Sequence, residues 1–85
     1  MALKSLKNIT ENNSDACIEM FGNKRILITD CKYVSDYSDG SISLNIGDMD
    51  VKIKGDGLVI SAFAFGQTDI SGNIFSVEFV NSQKV

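Results

Sequence analysis

The sequence contains no histidine and no proline among its 85 residues. Without histidine the chain lacks the usual general base, the usual partner of a nucleophilic serine or cysteine, and the commonest metal ligand. Most catalytic templates are therefore excluded, and we expect no catalytic residues. Without proline, no strand is marked as the edge of a sheet in that way, so the edges have to be protected by other means.

Basic charge is also scarce. Eight Lys and Arg stand against eleven Asp and Glu, which leaves a formal net charge of −3 and no surplus for neutralising phosphates. We therefore expect no nucleic-acid partner. No stretch approaches the ~20 apolar residues that span a bilayer, and the leader MALKSLKNI is too short and too weakly apolar for a secretory signal. We interpret the chain as cytoplasmic, without direct membrane insertion.

Metal-binding and redox motifs are missing as well. The two cysteines, Cys17 and Cys31, are too few for the disulfide framework of a small secreted domain, so we expect both to be reduced. They do not form a CxxC motif, which argues against a zinc site. The acidic residues of GDMDVKIKGDG have the wrong spacing for an EF-hand loop, and no Walker lysine follows its glycines. We expect no bound metal and no cofactor.

What the sequence does contain is a series of short segments in which apolar and polar residues alternate. Residues 1–15 are predicted to be a flexible leader, residues 16–80 a single β domain, and residues 81–85 a polar tail. Apolar residues make up 44% of the chain, which is enough for a core. The pattern predicts an all-β fold, either a small antiparallel β-sandwich or a curled meander of about seven short strands.

Glycine-containing dipeptides and tripeptides punctuate these segments. Asp39-Gly40 is the clearest hairpin turn, because both residues tolerate positive φ. The segment after it, 41–46, alternates apolar and polar residues cleanly. Gly55-Asp56-Gly57 and Gly72-Asn73 are predicted as further turns, each of which ends one strand and begins the next.

The uncharged segment GLVISAFAFG has apolar residues on both of its predicted faces. Alternation places Leu58 and Ile60 on one face. It places Val59 and Phe63 on the other, and Phe65 continues the run. Such a strand is either covered on both faces within the chain or packs against a second copy of the protein. We predict a homodimer whose contact includes Val59, Phe63 and Phe65.

Two tyrosines are the other candidate binding residues. Tyr33 and Tyr37 share one face of a strand predicted to run from Cys31 to Tyr37, so they could stack on a base or a sugar. No Arg or Lys accompanies them on that face. A half-buried aromatic pair that covers the sheet is therefore the competing interpretation.

Three segments carry a resemblance to a known family. They are IEMFGNKRILITDCKYV, with the pattern I-x-x-x-G-x-x-x-I-L-I; DYSDGSISLNIGDMDVKIKGDGLVIS, which contains V-x-I-x-G-x-x-L-x-I; and DISGNIFSVEF, which fits I-x-G-x-I-x-x-I/V-x-F. In this order, from Ile18 to Phe79, they resemble the YabP/YqfC family of sporulation proteins.

The resemblance implies a small all-β, non-enzymatic protein that is made during sporulation in the mother cell. It also implies a role in the assembly of the spore envelope, cortex or coat, through protein–protein contacts. A position peripheral to the forespore envelope and a sporulation membrane protein as partner follow from the same resemblance. The alternative function is a small β binding module for a cell-wall or saccharide ligand, which Tyr33 and Tyr37 would bind.

Overall fold

The computed structural model describes residues 16–81 and shows an all-β fold, as predicted. The predicted leader, 1–15, and the tail beyond residue 81 lie outside the described residues. The strands form one antiparallel sheet in the order β1-β2-β6-β5-β4-β3. In chain order they are β1 (Cys17–Phe21), β2 (Arg25–Thr29), β3 (Tyr33–Tyr37), β4 (Ser41–Asn45), β5 (Met49–Ala64) and β6 (Gln67–Asn81).

A long hairpin made of β5 and β6, with 16 and 15 residues, organises the sheet. The structure has six strands where about seven short ones were expected, and the difference arises in this hairpin. Gly55-Asp56-Gly57 and Gly72-Asn73, predicted as turns, are instead irregularities inside two continuous strands, and Asp56 still pairs with Asn73. Because a β-bulge bends a strand without ending it, segments that were predicted to be separate join, and the described residues form six strands.

The hairpin bends where glycines of its two strands cross. A Cβ on Gly72 would lie 2.7 Å from the carbonyl oxygen of Gly57, and a Cβ on Gly55 would collide with the carbonyl group of Asn73. Gly57 and Gly72 also have φ angles of +64° and +139°. Only glycine permits both this close approach of two backbones and these backbone angles. The sequence therefore places glycine on both strands at the bend.

Two neighbouring turns hold the bend from both sides. The backbone of the β1–β2 turn accepts hydrogen bonds from the N–H groups of Gly72 and Ile74 at 3.1 and 2.8 Å. The backbone of the β3–β4 turn accepts hydrogen bonds from the N–H groups of Gly55 and Leu58 at 3.1 and 2.9 Å. These bonds satisfy backbone donors at the place where the β5–β6 register shifts.

The bend brings the two parts of the curled sheet around one core. Near its open end, the hairpin pairs residues 49–54 with 76–81, and β4 extends that part. Near its turn it pairs residues 59–64 with 67–71, and β2 extends that part. Both parts contribute to a single buried cluster, whose members are Ile26, Ile28, Cys31, Ile42, Leu44, Val51, Ile53, Leu58, Ile70 and Ile74.

One polar side chain lies within this apolar environment. Thr68 is fully buried and pairs with Ile28 on β2 and with Phe63 on β5. Its Oγ1 atom has no hydrogen-bond partner among residues 16–81. A buried hydroxyl without a partner lowers the stability of a fold.

The crossing at the bend predicts that Gly55→Ala destabilises the fold by about 3 kcal/mol, because the methyl group would meet backbone atoms that cannot move independently. Urea unfolding followed by circular dichroism measures this loss. Gly40→Ala is the matched control, since its Cβ would lie at an ordinary 3.8 Å from the carbonyl oxygen of Gly55. Equal stability losses in the two variants would contradict the close-approach explanation.

The unpartnered hydroxyl predicts that Thr68→Val raises the free energy of unfolding by about 1 kcal/mol, since valine keeps the side-chain shape and removes the buried polar atom. The same unfolding measurement tests it. Thr29→Val, on a partly exposed position of β2, should change stability little. A loss of stability in the Thr68 variant would show that the hydroxyl has a partner.

Candidate interaction site

The turn between β5 and β6 presents the most exposed large hydrophobic side chain of the described residues. Phe65 and Gly66 form this two-residue turn between the paired residues Ala64 and Gln67. Both turn residues have positive φ, 53° and 79°, as in a type I′ turn. The phenyl group is 100% exposed, so it packs against nothing within residues 16–81.

Phenylalanine is an unusual choice for this backbone conformation. Asparagine, aspartate and glycine are preferred at the first position of a type I′ turn. Glycine has no Cβ to clash with the backbone at positive φ, and the short polar side chains of asparagine and aspartate can hydrogen-bond locally. The conformation costs about 1 to 2 kcal/mol for an ordinary residue. Phe65 therefore carries backbone strain and exposed apolar surface together.

A backbone hydrogen bond joins the β5–β6 turn to a core residue. The N–H group of Cys31, in the link between β2 and β3, donates a 2.8 Å hydrogen bond to the carbonyl oxygen of Gly66. Cys31 is itself a buried member of the core cluster. The turn is thus tied to the core, and Phe65 is held outward in a defined position.

The other predicted contact residues of β5 do not form one face with each other. Val59 pairs with Ser71, whereas Phe63 pairs with the buried Thr68. Directly paired residues share a face of the sheet. Phe63 therefore lies on the core-facing side and Val59 on the opposite side, although each is half-exposed. The prediction that Val59 and Phe63 share one face is wrong.

A β-bulge explains this reversal. The β5–β6 register shifts between Ile60 and Ala62, so that Ser61 is an extra residue in β5. One extra residue turns every following side chain to the other face. Ser61 lies within hydrogen-bond distance of Ser71, with 3.0 Å between their Oγ atoms. Strict alternation in the sequence gives no sign of this bulge.

Tyr33 and Tyr37 are separated in the same way. The β3–β4 register shifts between Val34 and Asp36, and Tyr37 pairs with the buried Ile42 whereas Tyr33 pairs with Asn45. The two rings therefore lie on opposite faces of β3, and the prediction that they share one is wrong. They do not form a joint stacking surface for a sugar or a base.

Tyr37 has a different role in the fold. Its hydroxyl oxygen accepts a 3.0 Å hydrogen bond from the backbone N–H group of Ile60, next to the bulge in β5. The bond joins β3, at one edge of the curled sheet, to the edge of β5. Tyr37 thus connects two edges of the curled sheet that are not paired as strands.

A second exposed apolar group lies at the end of β6. Phe75 is the extra residue at the register shift opposite Lys54 and Gly55, and it is exposed. Phe79 and Val80 follow it, and both are also exposed. Phe79 and Val80 were not among the predicted contact residues. The sequence does contain a sign of this exposed apolar group: Glu78 is the one charged residue in the segment from Phe75 to Val80.

One ion pair ties β2 to β6 beside the bend. Arg25 binds the carboxylate of Asp69 with two hydrogen bonds, Nε to Oδ1 at 2.9 Å and NH2 to Oδ2 at 2.8 Å. The guanidinium group also lies 5.1 Å from the ring centre of Phe21. The hydrogen bond from Arg25 lowers the pKa of Asp69, and the same bond raises the pKa of Arg25. This pairing supports the sheet and forms no reactive site.

The remaining chemistry of the described residues is sparse. Cys17 is exposed, Cys31 is buried, and both thiols are free. Within residues 16–81, no group of three or more Cys, Asp or Glu side chains could hold a metal ion. In the same part of the chain, no helix of sufficient length and apolar character to cross a membrane is present.

Comparison with known proteins places this arrangement in a family. The model of the YabP family matches residues 12–85, which is most of the chain, and the chain belongs to that family. The family resemblance predicted from the sequence is confirmed in this respect. Membership indicates a sporulation-associated protein, and the family is of a non-enzymatic type. No curated protein and no solved structure matches the chain.

The Arg25–Asp69 pair predicts that the pKa of the Asp69 carboxyl group lies below the ordinary aspartate value of about 4. The pair then stabilises the fold above the unfolded-state pKa, and this contribution is lost as the pH falls through the lower folded-state pKa. An NMR titration of the Asp69 side-chain carbon measures it. Arg25→Gln should raise the pKa towards the ordinary value, whereas Lys24→Gln should leave it unchanged. A pKa of Asp69 that does not respond to Arg25→Gln would contradict the assignment.

Proposed function

From membership of the YabP family, we propose that this chain is a non-enzymatic protein that acts in spore envelope assembly, in the cortex or coat, through protein–protein contacts. The observation that supports this proposal most directly is Phe65, which is strained and fully exposed at the tip of the long hairpin. Residues held in unfavourable backbone conformations tend to occur where a protein binds its ligands. Here the ligand is a partner protein that receives the phenyl ring.

The surroundings of Phe65 fit a protein contact. The twelve residues from Gly57 to Thr68 carry no charge, and the centres of protein interfaces are likewise depleted of charge and enriched in aromatic side chains. Phe63, half-exposed on the core-facing side of the same strand, adds apolar surface near the tip. We name the surface formed by Ala62, Phe63, Ala64 and Phe65 the hairpin tip.

The way in which the tip is held also supports binding. The hydrogen bond from Cys31 to Gly66 fixes the turn against the core, so little conformational freedom is lost when a partner binds. An aromatic side chain that is held outward can fill a pocket of a partner as a central anchor of the interface. We propose that this partner is a membrane protein of the same sporulation programme. The chain then acts from the mother-cell cytoplasm, peripheral to the forespore envelope.

The alternative function, a binding module for a cell-wall or saccharide ligand, has less support. It depended on Tyr33 and Tyr37 as a joint stacking surface, and the bulge in β3 places them on opposite faces. The hydroxyl group of Tyr37 is also engaged with the backbone of Ile60. A protein contact at the hairpin tip requires neither tyrosine.

The proposal predicts opposite effects of Phe65→Asn on stability and on function. Asparagine tolerates positive φ, so the variant should be more stable than the wild type by about 1 kcal/mol, as measured by urea unfolding. In the natural host it should nevertheless fail to restore heat-resistant spores to a strain that lacks the gene. Capture of the partner from sporulating cells should weaken by about tenfold or more, because an anchor residue is lost.

Two controls separate the possible causes. Lys52→Ser changes a partly exposed position on β5 away from the tip and should restore heat-resistant spores fully. Phe65→Leu keeps an apolar side chain at the tip and should restore them in part. Full restoration by Phe65→Asn would show that the hairpin tip is not the contact. If the strain that lacks the gene forms normal heat-resistant spores, the proposed role in envelope assembly is wrong.

A further inference from the structure

Among residues 16–81, the two residues other than glycine that have positive φ lie side by side. They are Phe65, at the hairpin tip, and Asp30, with a φ of 70°, in the link between β2 and β3. A Cβ on Gly66, the second residue of the turn, would lie 3.7 Å from the Cα atom of Asp30 and 3.9 Å from its amide nitrogen. Because unfavourable backbone conformations cluster where proteins bind their ligands, Asp30 is a candidate for the same contact as Phe65.

The carboxylate of Asp30 is only weakly engaged within the described chain. The Asp30 side chain is 39% exposed, and 3.4 Å separates its Oδ1 atom from the Nζ atom of Lys32. An exposed ion pair of this kind contributes little to stability. A cation from another molecule can therefore replace Lys32 beside Asp30 at little cost.

The end of the molecule that carries the hairpin tip is acidic. The N–H group of Lys32 donates a 2.7 Å hydrogen bond to the carbonyl oxygen of Asn45, at the end of β4. The side chain of Asn45 in turn donates a 2.9 Å hydrogen bond to Asp50, and the exposed Asp48 lies in the turn between them. Along this connected series, the three carboxylates of Asp30, Asp48 and Asp50 accompany one ammonium group, that of Lys32.

We propose that Asp30 determines the specificity of the contact at the hairpin tip by pairing with a lysine or arginine of the partner, beside the apolar pocket that receives Phe65. This role of Asp30 rests on the proposed function, because it concerns the same partner. Charged groups at the rim of an interface select partners of opposite charge and speed their association. The partner surface is therefore both apolar and basic.

A cytoplasmic segment of a membrane protein has this chemistry. Cytoplasmic loops of membrane proteins carry an excess of Lys and Arg, and the chain is proposed to bind such a protein from the cytoplasm. The lipid surface around that protein fits less well. Its cytoplasmic leaflet is negatively charged and would repel the carboxylates at this end of the chain. The charges around the tip therefore favour the protein over the lipid as the surface that receives Phe65.

Photocross-linking from position 65 identifies the receiving surface. The full chain, with p-benzoylphenylalanine in place of Phe65, is titrated into inverted membrane vesicles from sporulating cells of the natural host and irradiated at about 50 mM NaCl, where charges are weakly screened. Mass spectrometry then locates the adduct. We expect it on a cytoplasmic segment of a membrane protein, with Lys or Arg close to the cross-linked position. An adduct on a segment without basic residues, or on lipid alone, would overturn the proposal.

Asp30→Asn isolates the contribution of the charge. Asparagine has nearly the same shape as aspartate and also tolerates positive φ, so the backbone of the link should be preserved. The chain concentration that gives half-maximal adduct should rise about fivefold, and this difference should shrink at about 500 mM NaCl. Asp56→Asn is the matched control, since it removes an exposed carboxylate at the bend and should leave that concentration unchanged.

Lys32→Gln distinguishes a contact with the partner from a structural role of the ion pair. Both Asp30→Asn and Lys32→Gln break the pair, so a purely structural pair would weaken cross-linking in both variants. If Asp30 binds a basic partner, Lys32→Gln instead frees the carboxylate and removes a repelling charge. The half-maximal concentration should then fall by about twofold. A rise in both variants would overturn the role of Asp30.

Two outcomes separate the role of Asp30 from the proposed function itself. If the analogue at position 65 forms no adduct with any protein, the proposed contact at the hairpin tip is wrong as well. If a protein adduct forms and its half-maximal concentration is the same in Asp30→Asn, the tip contact stands and the role of Asp30 alone is wrong. Circular dichroism verifies that each variant is folded.

Discussion

The close crossing of the β5 and β6 backbones at their glycines is the constraint on which the rest of the structure depends. A methyl group on Gly55 or Gly72 would meet backbone atoms of the opposite strand, so the two strands can bend together only because neither carries a side chain there. The bend turns one sheet around a single core that includes residues from both of its parts. A chain of 85 residues can bury only a limited apolar surface. A flat sheet would bury even less, because one face of the sheet would be in contact with water.

The β-bulges add to the curvature that the glycine bend gives the sheet. Each inserts one residue into a paired strand, which curves the sheet and moves the side chains that follow to the other face. The bulges at Ser35 and Ser61 also make two edges irregular, so that proline is not needed to protect them. Their functional consequence is that the exposed apolar residues do not form a single flat surface. The hairpin tip around Phe65 and the end of β6 around Phe79 are two of several separate places where they lie, and Met20 and Phe21 on β1 are another.

The hairpin tip is the place where local preference and observed structure disagree most clearly. A type I′ turn favours asparagine or glycine, yet Phe65 occupies the position with its ring in water. At the two turns beside β4 the sequence and the fold agree in position: Asp39-Gly40 and Gly47-Asp48 lie between paired strands. Of these four residues, Gly47 alone has a positive φ. A conflict of this kind in an otherwise consistent chain is expected where selection acts on binding and not on stability.

The amino-acid sequence by itself determined the all-β class, the family, the turns on either side of β4 and the inward-facing residues of β4, because each of these depends on residues close together in the chain. It could not show that the glycines at 55–57 and at 72 bend two strands instead of ending them. That distinction depends on the backbone of the opposite strand, which lies about 17 residues away in the ladder. For the same reason the faces of Phe63 and Tyr37 were decided by the tertiary structure. A bulge arises from the pairing between strands, and one extra residue reverses every assignment that follows it.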